Sequence, residues 1–149
     1  MLLSSGIGSL LTERLIKTRR HALVLFILIV LTILLYARCL TPLLLGTINL
    51  PQAARTVVAL LLIAPAALLM GMPFPLGIRL LTGTNDAEIP WAWGINGCLS
   101  VVGTLLATVI AVEAGFAWVM IVAALAYGIT CVGGAAGLLR PEAFRRLSG

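Results

Sequence analysis

Apolar residues run along this chain in four long blocks, separated by short stretches that hold nearly all of its polar and turn-forming residues. A membrane crossing needs about 20 predominantly apolar residues. The blocks at residues 22–40, 56–72, 91–112 and 116–139 meet that requirement and predict four transmembrane helices. Residues 1–12 are apolar but too short to span. They read either as an interfacial helix, with Leu3, Ile7, Leu10, Leu11 and Leu15 near one face, or as the tail of an earlier membrane helix. The small-residue run Gly6-Ile7-Gly8-Ser9 favours the second reading, since small residues let helix backbones approach closely.

The punctuation between blocks gives the boundaries. Thr41-Pro42 is expected to end the first span, and Asn49-Leu50-Pro51 marks the turn before the second. Pro65 lies inside the second span and predicts a kink through one lost backbone hydrogen bond. Pro73 and Pro75 are expected to stop that span, with Gly71 and Gly77 on either side allowing close backbone approach. A polar loop is expected over residues 79–89. Glu88, just before Pro90, suits the positive end of the next helix. Trp91 and Trp93 open the third span as interface anchors, with the indole ring in the boundary region and its N–H toward water. Glu113-Ala114-Gly115 predicts a very tight turn, which makes the third and fourth spans an antiparallel hairpin.

Composition sharpens the picture from "apolar helices" to "lipid as solvent". The 149-residue chain is 61% hydrophobic and 10% charged, against about 25% charge in soluble domains. A small soluble fold leaves much of its surface exposed and has nowhere to hide that apolar area. The fold class is therefore all-α integral membrane: four transmembrane helices plus a short N-terminal helical segment, in a single membrane domain.

The net charge of +5 is distributed as topology, with no sign of a nucleic-acid footprint; no aromatic–basic interleaving or recognition motif accompanies it. Arg14, Lys17, Arg19, Arg20, Arg79, Arg140, Arg145 and Arg146 fall on one side of the predicted bilayer, and only Arg38 and Arg55 on the other. Basic residues concentrate in cytoplasmic segments. This bias predicts a multi-pass membrane protein with both termini cytoplasmic.

Chemistry is sparse. No phosphate-binding glycine motif follows a strand pattern. His21 is the lone histidine and lies in the basic cluster. Cys39, Cys98 and Cys131 are scattered through apolar runs without CxxC spacing, so they read as small apolar packing residues. No acidic or basic residue sits mid-span. The expectation is a non-enzyme with no cofactor, no metal and no nucleic-acid partner.

The residues that stand out belong to helix packing. Gly97, Gly103, Ala107 and Ala111 form a small-residue ridge on the third span, and Ala124/Gly128 and Gly133/Gly137 form small-xxx-small pairs on the fourth. Asn96 is the polar intramembrane candidate, facing roughly with Ser100 and Gly103. A primary amide at that depth must face protein or water.

Gly71-Met72-Pro73-Phe74-Pro75-Leu76-Gly77, followed by Pro90-Trp91-Ala92-Trp93-Gly94-Ile95-Asn96-Gly97, resembles the C-terminal membrane region of the bacterial polytopic spermidine synthase-like proteins, also described as major-facilitator/spermidine-synthase fusions. Gly6-Ile7-Gly8-Ser9-Leu10-Leu11 resembles the cytoplasmic end of an earlier helix in that group. The resemblance implies a membrane module of the bacterial inner (cytoplasmic) membrane. The group's Rossmann-type aminopropyltransferase-like domain, with its nucleotide-binding glycines and catalytic acids, has no counterpart here.

Three functional expectations follow. The first is a non-catalytic membrane subunit that packs against other membrane chains in a larger complex. The second is part of a transporter-like helix bundle, with Pro65, the Pro-Phe-Pro corner and Asn96 along a substrate path. The third is the membrane anchor of a separate aminopropyltransferase-like enzyme.

Overall fold

The computed structural model describes residues 1–81 and 87–135. In chain order the helices are α1 (Leu2–Leu15), α2 (Arg19–Gly46), α3 (Gln52–Met70), α4 (Pro73–Leu81), α5 (Glu88–Glu113) and α6 (Phe116–Ala135). There is no strand among the described residues. Four stretches are long and apolar enough to cross a membrane: Arg19–Gly46, Gln52–Leu81, Glu88–Glu113 and Phe116–Gly133. The second joins α3 and α4 across the corner at Gly71 and Met72.

α2 is the central element. Ala22, Leu25, Ile29 and Ile33 are buried on it at helical three- and four-residue spacing. They meet Ile16 from the α1–α2 connection, Met72 and Leu76 from the corner and α4, and Ala124 from α6. α6 packs along α2, α1 crosses α3, and α5 touches the rest mainly through α6 and α4. The Tyr36 hydroxyl donates to the Leu62 carbonyl at 2.5 Å, tying α2 to α3. That carbonyl lies three residues before Pro65, in the stretch where proline loosens the helix. Tyr36 is half-buried between the two helices.

Several boundaries differ from the sequence expectations. α2 does not stop at Pro42 but continues to Gly46. The missing proline N–H removes the helical partner of the Arg38 carbonyl, and Arg38 is exposed. α3 begins at Gln52, directly after Pro51. Pro73 and Pro75 do not lead into a loop; they start α4. In a first helical turn the N–H groups have no intrahelical acceptor, so proline loses nothing there. Arg79 is consequently helical, while residues 82–86 of the expected loop lie outside the described residues.

α1 turns outward the face that the sequence marked as apolar. Leu3, Ile7 and Leu10 are 86%, 52% and 77% exposed, while the small residues Gly8 and Thr12 are buried. A Cβ at Gly8 would land on the Leu68 carbonyl, and one at Gly71 on the Ser5 backbone. The two helices thus cross backbone to backbone through a pair of glycines. The same does not hold for Gly77, which has open space around it. Gly115, at φ +91°, closes the α5–α6 hairpin. Its N–H reaches back to the Ile110 and Ala111 carbonyls, a left-handed cap that glycine takes without strain.

At most 22% of any span's most apolar window is buried. Exposing the remainder to water would cost about 25 cal/mol per Å² of apolar surface; lipid or another apolar chain removes that penalty.

Candidate functional site

Four polar side chains lie along the α5 span. Asn96, Ser100, Thr104 and Thr108 recur every fourth position and form one row along the helix. The Ser100 Oγ donates to the Asn96 carbonyl at 2.7 Å, the Thr104 Oγ1 to Ser100 at 2.8 Å, and the Thr108 Oγ1 to Thr104 at 2.9 Å. Each hydroxyl proton is thus satisfied within the helix, and each hydroxyl oxygen keeps acceptor capacity toward the outside. Gly103, Ala107 and Ala111 form the adjacent row, so the small and polar residues share one face.

This face borders an open cleft of about 1110 Å³, lined elsewhere by Met70, Phe116 and Tyr127. Met70 and Tyr127 also line a second cavity of about 460 Å³, which contains Asn96, Phe26, Pro73 and Phe74. The structure therefore brings the Pro-Phe-Pro corner and Asn96 to one place. The Phe74 and Trp93 rings meet edge to face with centroids 4.8 Å apart, holding the start of α5 against the corner. Trp91 and Trp93 are nonetheless 74% and 60% exposed.

Within the chain, Gly97 and Gly103 meet nothing at the position of a Cβ, and Ala107 and Ala111 are half-buried. Not one residue of α5 is buried. On α6, Ala124 is buried in the core beside α2, whereas Gly128 has open space at its Cβ position. Gly128 and Gly133 line an apolar groove of about 700 Å³ with Val30 and Leu34 of α2. Gly137 lies outside the described residues.

Sequence reading missed Thr104 and Thr108, although the repeat of four from Asn96 was available as a signal. It read Gly8 and Gly71 separately as sites of close approach, and the structure pairs α1 with α3 through them. No protein-family model, curated protein or solved structure matches this chain.

Proposed function

We propose that this chain is a non-catalytic multi-pass membrane module whose α5 face seats a transmembrane helix of another chain in a larger complex. The observation that carries this reading is that α5, 26 residues long, has no buried residue yet displays adjoining rows of small and hydroxyl residues. Helix association in lipid is driven by close van der Waals packing and interhelical hydrogen bonds, and these are the residue types that provide both. The charge bias supports cytoplasmic placement of both termini, and the motif resemblance supports the bacterial inner membrane. The motif resemblance supports one class of partner, a separately encoded aminopropyltransferase-like enzyme anchored by this module.

Native purification in mild detergent, with mass spectrometry of co-migrating chains, tests the proposal. A partner chain in fixed stoichiometry is the expected result. A chain that runs alone or only with itself would end the subunit reading.

A second reading draws on the cavity that joins Asn96 to the Pro73–Phe74 corner: a water-accessible path through a transporter-like bundle. Replacing Cys39, Cys98 and Cys131 by Ser and introducing Asn96→Cys allows a test in native membranes. Under the packing proposal, a water-soluble thiol reagent leaves Asn96→Cys unmodified. Rapid modification would instead favour the path.

A further inference from the structure

We infer that the α1–α2 corner is a binding site for the headgroup of an anionic phospholipid. Arg14 lies in the last turn of α1, Lys17 in the connection, and Arg19 and Arg20 open α2. Arg79, from α4, joins them by donating from Nη1 to the Thr12 carbonyl at 3.4 Å. That same carbonyl accepts the Ile16 N–H at 3.0 Å, so the α4 guanidinium is fixed at the base of the connection. Glu13 is the one acidic residue on α1 or its connection, and α2 has no acid in its first turn.

A run of cations beside a span sets topology whether or not it is ordered. Here it is ordered. Ile16, in the middle of the run, is 2% exposed and belongs to the central core. Thr12 is fully buried, and the Thr18 hydroxyl caps α2 by accepting from the His21 N–H at 3.4 Å. The connection is pinned at its base and at its end, so the backbone that carries these charges is held around a short corner. The amino end of α2 adds the positive end of its dipole at the same point.

A lipid fits this corner better than a soluble anion because apolar surface continues from the charges. Leu3, Ile7 and Leu10 of α1 and Val24, Ile27 and Leu28 of α2 are exposed. A ligand with a phosphodiester head and acyl tails matches both parts. Clustered cations at a membrane surface each add to the attraction for anionic lipid, and the effect weakens with salt.

The test uses the purified full-length chain in mild detergent, where orientation in the cell has no influence. Native mass spectrometry reads retention of phosphatidylglycerol against phosphatidylcholine. The wild type should retain phosphatidylglycerol selectively. R14Q/K17Q/R20Q should lose that selectivity by a factor on the order of 100. R14K/R20K should keep it, which separates lost charge from lost fold. R38Q/R55Q removes two cations remote in sequence from the corner and should also keep it.

Equal losses in R38Q/R55Q and the triple variant would overturn the site, as would equal retention of the two lipids. Displacement by millimolar inorganic phosphate would overturn the lipid assignment in favour of a free-anion site. Loss of a co-purifying acidic protein from the triple variant, with lipid retention unchanged, would assign the corner to that protein.

Discussion

Gly71→Ala is expected to lift α1 off α3 and loosen the α1–α2 connection, so that trypsin cuts faster at Lys17, Arg19 and Arg20. The new Cβ would meet the Cα, carbonyl carbon and oxygen of Ser5. These are backbone atoms, so no rotamer change makes room, and one helix must move away from the other. Gly8→Ala meets the Leu68 backbone in the same way. Overpacking costs about 1–3 kcal/mol even where side chains can adjust. A backbone collision belongs at the upper end or beyond, because separating the helices also weakens the Arg79–Thr12 hydrogen bond and the burial of Thr12.

The double variant should cost less than the sum of its parts, since one displacement relieves both collisions. Gly6→Ala is the internal control. It lies on the same helix with open space at its Cβ position, and alanine is the better helix former by about 1 kcal/mol. Tryptic cleavage rates of the four variants in detergent decide the matter. If Gly71→Ala and Gly8→Ala are cut no faster than Gly6→Ala, the glycine crossing is not what holds α1 in place.

The α1–α3 crossing also illustrates what was legible in the sequence. Hydrophobic length alone placed the four spans, because the bilayer imposes one dimension on every crossing. The turn at Ala114 and Gly115 was equally plain, since so few residues separate two apolar blocks. Small residues near Gly8 and Gly71 signalled close approach, but not to which helix, because pairing between distant segments leaves no periodic trace. Prolines misled twice, and for the same reason. The cost of proline depends on whether the lost N–H had a partner: in the first turn of α4 it had none, and at Pro42 it left without its helical partner one carbonyl, that of the exposed Arg38. The site was half legible. Asn96 and the Gly103 row stood out by type, whereas the hydroxyl row emerged only once its members were seen bonded in sequence to the preceding turn. The convergence of Asn96 with Pro73 and Phe74 rests on tertiary packing and had no local signal.

The Gly103 row yields the sharpest test of the proposed function, because it separates folding from assembly. Gly103→Leu places its side chain into the open cleft, where nothing lies within 4 Å of the Cβ position. Helicity and thermal unfolding of the isolated chain should therefore remain near wild type, within about 0.5 kcal/mol. Association with the proposed partner should instead fall by at least about tenfold, about 1.4 kcal/mol, because a branched side chain blocks the close approach that glycine allows. Leu105→Ala, on an exposed position outside both rows, should leave assembly unchanged.

Thr104→Val then divides steric from polar recognition. It preserves shape and removes a hydroxyl whose proton is already spent on the Ser100 carbonyl. A partner that only packs will tolerate it. A partner that donates to the Thr104 oxygen loses a hydrogen bond averaging about 0.6 kcal/mol and reaching about 1.7 kcal/mol in membranes. Normal co-purification of Gly103→Leu would remove α5 as the interface. The cleft beside it would then have to be explained by what passes through it, and the accessibility of Asn96 would become the deciding measurement.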